Sequence, residues 1–87
     1  MNITKEQVAT AAKKYPSAVT GPMSGCKHPE ALLRWVLEKC TNAGCRRLAE
    51  NYVRTGHGSC WNAMCGCLPA NGWLVWYTGD WEKVLPA

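Results

Sequence analysis

The sequence predicts an α+β fold, with three helices followed by a small C-terminal antiparallel β-hairpin or three-stranded meander, in a Cys-rich chain of 87 residues. Three observations support this prediction. Apolar residues recur with a helical period up to about residue 55, five of the six cysteines lie between Cys40 and Cys67, and Asn71-Gly72 precedes a β-rich run. The length fits one domain over residues 1–87, with a helical part at about 3–55 and a Cys-rich β part at about 57–87.

The first helix is predicted over residues 3–15. Thr4 can cap its first turn, Gln7 can reach back to the cap, and Pro16 is expected to end it. One apolar stripe then faces the core, formed by Val8, Ala11, Ala12 and Tyr15.

The second helix is predicted to start at Pro29 and run to about Thr41, with Gly44 as its C-terminal stop. Its broad apolar stripe indicates the central helix of the domain. A third helix follows from Cys45 to about Thr55 and is expected to end at Gly56.

The C-terminal third has the signals of a β-meander. Asn71-Gly72 is typical of a two-residue hairpin turn, and Gly79-Asp80 suggests a second tight turn. The expected strands are Gly66–Leu68, Trp73–Thr78 and Trp81–Leu85. Both faces of the middle strand are apolar, so a partner or the long loop before Pro29 is expected to cover the second face.

The dense cysteines admit three chemistries, namely bound zinc, free thiols packed in the core, or disulfides. The Cys40-x4-Cys45 spacing places two thiols on either side of a turn, within the range of zinc sites. The preferred zinc ligands are Cys40, Cys45, Cys60 and Cys65, with His57 and Cys67 as exchanges.

The run Gly58-Ser59-Cys60-Trp61 resembles the local signature around the nucleophile of papain-like cysteine proteases. That family implies a longer chain and a His downstream of the Cys. No His follows His57 in this sequence, so a structural role for Cys60 is expected and the protein is not expected to be an enzyme.

Composition narrows the setting in which the protein acts. The N-terminus has no basic segment followed by an apolar one, and the longest apolar runs are only a few residues, so we expect a cytoplasmic protein without a membrane partner. The formal net charge of +4 is compatible with nucleic acid but modest.

We therefore expect a small non-catalytic module that docks on another protein, an adaptor or inhibitor of the kind that phages and mobile elements encode. The alternative is a zinc-stabilised, helix-turn-helix-like regulator that binds nucleic acid, because the third helix carries a basic side. The winged-helix order of elements would make the C-terminal hairpin its wing. The candidate partner-binding residues are Arg46, Arg47, Asn51, Arg54 and Trp76.

Overall fold

The computed structural model describes residues 3–86 and contains five α-helices. They are α1 (Lys5–Ala18), α2 (Pro29–Lys39), α3 (Ala43–Thr55), α4 (Gly58–Gly66) and α5 (Ala70–Thr78), with a short 3₁₀ helix, Gly21–Gly25, between α1 and α2. The described residues contain no β-strand, so the predicted α+β fold is wrong and the protein is all-helical.

Helix α1 begins as predicted but extends further. Thr4 Oγ1 accepts the Gln7 amide at 3.1 Å, and Gln7 Oε1 accepts the Thr4 amide at 2.7 Å, which completes a capping box. Pro16 does not end the helix but lies inside its last turn. The helix continues because Val19 still donates its amide to Tyr15 O at 3.0 Å.

The segment between α1 and α2 is tied to α1 by one side chain. The Tyr15 hydroxyl donates to Met23 O and accepts the Cys26 amide at 3.0 Å. Burial raises the pKa of Tyr15 to about 12, which keeps the hydroxyl in its donating form. The two hydrogen bonds fix the segment that the sequence left as a long connector.

Helix α2 is the central helix and contacts α1, α3 and α5. Its buried side chains are Leu32, Leu33, Trp35 and Val36. Trp35 also donates its indole Nε1–H to Val84 O at 3.3 Å, which fastens the C-terminal segment to α2. The helix ends at Lys39, before the predicted Gly44, because Cys40 leaves the helical conformation.

Helix α3 confirms a third helix that ends at Gly56 but starts two residues earlier than predicted. The Asn42 side chain caps it by accepting the Cys45 amide at 3.2 Å. Gly56 has a φ of +72°, in the left-handed region that glycine adopts without a steric penalty. Gly44 therefore lies in the first turn of α3 rather than in the preceding turn.

The predicted meander is replaced by α4 and α5. Asn71 and Gly72 lie in the first turn of α5, not in a hairpin, and Gly79 ends α5 with a φ of +74°. The predicted strand Trp73–Thr78 is helical because β propensity is a weak preference that packing overrides. Helix α5 buries Gly72, Val75 and Trp76 on one side.

The centre of the molecule is a chain of aromatic rings that joins four helices. The Trp61 ring lies 4.6 Å from the Tyr15 ring, 5.3 Å from the Tyr52 ring and 6.4 Å from the Trp76 ring, between centroids. Trp73 extends the chain at 5.3 Å from Trp76. These rings pack at the separations typical of favourable aromatic pairs, so α4 and α5 share one core with α1 and α3.

Candidate functional site

Four of the six cysteines interact where α2, α3 and α4 meet. Cys40 follows α2, Cys45 lies in the first turn of α3, and Cys65 and Cys67 lie at the end of α4. The Cys40, Cys65 and Cys67 thiols lie close enough to Cys45 to contribute to the raised pKa of its thiol. Cys45 Sγ also donates to Met64 O at 3.7 Å. The cluster thus joins the helices through weak thiol contacts.

Burial keeps the inner thiols of this cluster protonated. It raises the pKa of Cys65 to about 12. Burial, followed by the neighbouring Cys40, raises the pKa of Cys45 well above its ordinary range. Buried and protonated, these two thiols pack as small apolar groups.

The zinc-binding prediction is not supported by this arrangement. Within residues 3–86, no group of three or more His, Cys, Asp or Glu side chains could hold a metal ion. The proposed ligands were Cys40, Cys45, Cys60 and Cys65, and all six cysteines of the chain are free thiols. His57 and Cys67, the proposed exchanges, are both exposed. The reason is packing: the inner thiols fill gaps between helices instead of converging on one point.

The predicted basic side of α3 lies at the surface. Arg46, Arg47 and Arg54 are exposed and Asn51 is partly buried, whereas the opposite side of the helix is in the core. Glu50 lines a crevice together with residues of α1 and α2, and it lies between Arg46 and Arg54 on the helix surface because it is four residues from each. The structure therefore keeps these four predicted residues together on one helix.

Trp76, the fifth predicted partner-binding residue, does not lie with the four residues of α3. Only 8% of this residue is exposed, and its ring packs between Trp61 and Trp73. The strand prediction placed Trp76 on an outward face, but the helical period turns it into the core. Its role is structural, and a partner that contacts α5 must use other side chains.

Large exposed apolar side chains are concentrated on and beside α5. Among the residues described, they are Leu74, Tyr77 and Leu85, which are 49%, 74% and 72% exposed. Leu74 and Tyr77 are three residues apart and lie on the same side of α5. We call these three residues the α5 surface.

A groove of about 370 Å³ crosses the α5 surface between α5 and the C-terminal segment. Leu74 and Leu85 line it together with the buried Val84. Asn71 donates its side-chain amide to Leu85 O at 3.1 Å, which holds the C-terminal segment against α5. The charged groups at the groove are Asp80 and Lys83, which balance.

Sequence reasoning missed the α5 surface although a signal was present. Gly72, Val75 and Trp76 have the i, i+3, i+4 spacing of a buried helix side, which leaves Leu74 and Tyr77 outside. The same spacing relates Trp61, Met64 and Cys65 in α4. Short apolar runs fit a strand and a buried helix equally well, and the Asn71-Gly72 pair favoured the strand.

None of the helices within residues 3–86 has the length and apolar character needed to span a membrane. Comparison with known proteins found no matching protein family, curated protein or solved structure.

Proposed function

We propose that this protein is a non-catalytic module that docks on another protein through the α5 surface. The observation that carries the proposal is that the exposed Leu74 and Leu85 line one groove, and that the exposed Tyr77 lies on the same side of α5 as Leu74. Contiguous apolar side chains that stay exposed on a small domain are typical of interaction sites. Aromatic side chains such as Tyr77 are also enriched where proteins bind one another.

The proposed occupant is an apolar segment of a different protein. The groove carries one Lys balanced by one Asp, so it has no surplus charge with which to bind a phosphate backbone. A second copy of this chain would bring only the same three side chains, whereas stable interfaces use roughly 20–30 residues a side. A partner with a longer apolar segment fits both constraints.

The alternative function is nucleic-acid binding through α3. The observation in its favour is that Arg46 and Arg47 are both exposed on α3. Helices α2 and α3 are joined by three residues, as in a helix-turn-helix. The two functions use different helices and can therefore be separated by substitution.

The proposed function includes a cytoplasmic location. Its support is that the cysteines, all of which lie within residues 3–86, are free, as is typical of a reducing compartment.

A selection from a displayed library of twelve-residue peptides tests the docking proposal. We expect enriched peptides with several apolar residues, because the groove presents apolar side chains and balanced charge. The double variant Leu74→Ser/Tyr77→Ser should lose at least roughly tenfold in affinity for them, since two apolar contacts are removed. Both residues are exposed, so the variant should fold normally.

The matched control is Arg46→Gln/Arg47→Gln, which changes two exposed residues of α3. It should bind the selected peptides like the unmodified protein. Equal weakening by both double variants, or no enrichment, would contradict the proposal. Sedimentation of the unmodified protein gives a further test. If the protein self-associates and the Leu74→Ser/Tyr77→Ser variant does not, the occupant of the groove is a second copy of the chain, and the proposal of a different protein as partner is wrong. Salt-sensitive binding to a 20-base-pair DNA duplex, lost only in the arginine variant, would establish the alternative.

A further inference from the structure

A second concave site shares no lining residue with the α5 groove and has a different chemistry. It is a cavity of about 500 Å³ between α1, the start of α2 and the turn after α5. This volume is in the range of small-molecule sites. Part of its wall is formed by small apolar residues, Ala9, Ala12, Pro29 and Ala31.

The charges around this cavity are unbalanced. Lys13 comes from α1, Lys27 from the segment before α2, and Arg34 from α2 itself, while Glu30 is the one carboxylate in the lining. Glu38, outside the lining, also pairs with Arg34, so one positive charge is left uncompensated around the cavity. Three cations from separate parts of the chain meet at one concavity, where a bound anion would interact with all of them.

Arg34 is held in place at the edge of the cavity. Its guanidinium carbon lies 4.3 Å from the centroid of the Trp81 ring, and its Nε donates to Glu38 Oε2 at 3.4 Å. Glu38 engages Nε alone, and the guanidinium has four further N–H donors. Lys39 Nζ in turn donates to Trp81 O at 2.9 Å and Val84 O at 3.1 Å, so the turn that carries Trp81 is anchored to α2.

We propose that this cavity binds a small organic phosphate monoester. A phosphate monoester carries about −1.5 to −2 charges at pH 7 and has three acceptor oxygens, one for each of the three cations, whereas a single carboxylate has only two oxygens. Arg and Lys are the side chains that bind phosphate oxygens by charge-assisted hydrogen bonds. The wall of alanines and Pro29 contacts the organic part of the ligand. The site does not depend on the α5 surface.

Titration of the full chain with phenyl phosphate, followed by ¹H–¹⁵N NMR at low salt, tests the assignment. We expect saturable shifts at Lys13, Lys27 and Arg34 and at the indole N–H of Trp81. Lys13→Gln and Lys27→Gln should each weaken binding at least roughly fivefold, because each removes one charge-assisted partner. Lys14→Gln is the control, since Lys14 is an exposed neighbour on α1 outside the cavity lining.

Three outcomes would overturn the proposal. One is the absence of saturable binding, or equal weakening by Lys14→Gln. Another is equal affinity for inorganic phosphate, because the apolar wall would then add nothing. The third is tighter binding of a hexaglutamate peptide at the same residues, which would make the cavity a docking site for acidic proteins. Retained NMR dispersion in each variant shows that a loss of binding is not a loss of fold.

Discussion

Helices α3 and α5 pack in the same domain but expose different kinds of side chain to solvent. Helix α3 buries Cys45, Ala49 and Tyr52 and presents arginines to water, so its two sides are each in a suitable environment. Helix α5 buries Val75 and Trp76 but leaves Leu74 and Tyr77 exposed. Packing within this chain therefore buries the apolar side of α3, whereas α5 keeps large apolar side chains exposed on one side.

The largest expected effect separates two adjacent residues of α5. Trp76→Ala should lower the free energy of unfolding by about 3–5 kcal/mol, because a buried ring that contacts Trp61 and Trp73 is removed. Tyr77→Ala should change it by less than about 0.5 kcal/mol, because Tyr77 is 74% exposed. Urea unfolding of both variants measures the contrast. Similar losses would mean that Tyr77 is also a core residue.

Alkaline pH should weaken the packing of α3, whose buried side contacts cysteine thiols. The same effect is not expected within α5, because α5 contains no cysteine. The pKa of Cys65, which packs beside α3, rises from 9.0 to about 12 on burial. A raised pKa in the folded state favours folding below the unfolded pKa, so stability is full below pH 9 and falls towards pH 12. The upper limit for this thiol is about 4 kcal/mol.

The free energy of unfolding, measured by circular dichroism from pH 8 to pH 11, checks this prediction. Cys65→Ala lacks the thiol and therefore reports the effect of all other groups that ionise in this range. The variant should lose less stability over the window than the unmodified protein. Parallel pH curves for the two proteins would show that the thiol is not protonated by burial.

Gly72→Ala examines how closely α5 approaches α2. A Cβ at this position would lie 2.8 Å from Leu68 Cδ2 and 3.2 Å from Trp35 Cζ3, so the end of the Leu68 side chain must move and the buried Trp35 ring must give by a few tenths of an ångström. We expect a cost of about 1–2 kcal/mol, in the lower part of the range for over-packing. The control is Gly66→Ala in α4, where a Cβ meets no atom within 4 Å. That change should instead stabilise by about 0.4–1 kcal/mol. Thermal unfolding distinguishes the two, and a neutral Gly72→Ala would argue against the close packing of α5.

The smallest effect concerns the start of α3. Asn42→Ala removes the acceptor of the Cys45 amide and should cost about 1 kcal/mol. Thr41→Ala, at the exposed neighbouring position, should be close to neutral. Helix α5 has no side-chain cap at Pro69, so its stability comes from packing rather than from its end. Equal urea midpoints for the two variants would contradict a capping role for Asn42.

Local signals in the sequence located the three helices of the first part of the chain, although Pro16 and Gly44 misplaced two of the helix ends. The Thr4–Gln7 capping box, Pro29 as the first residue of α2 and Gly56 after α3 act within one helical turn, so they can be read without knowing the tertiary contacts. The second half depends on contacts distant in sequence. Gly72 rests against Trp35, and Trp61 against Tyr15, and neither contact can be read from local propensity.

The candidate sites, like the helices, could be predicted from the sequence only where they depend on neighbouring residues. The exposure of the α3 arginines follows from the helical period of that segment. The burial that keeps the Cys45 and Cys65 thiols protonated depends instead on which helices surround them. The predicted partner residue Trp76 is buried because a helix replaces the strand. The cavity around Lys13 and Arg34 joins segments far apart in the chain, so no spacing in the sequence indicates it.

Exposure along residues 73–77 tests the central claim most directly. A soluble gadolinium chelate broadens the NMR signals of side chains that water reaches. The helical α5 surface predicts strong broadening at Leu74 and Tyr77 and protection at Val75 and Trp76. An alternating pattern, with Leu74 and Trp76 broadened together while Val75 and Tyr77 are protected, is that of a strand and would contradict the account.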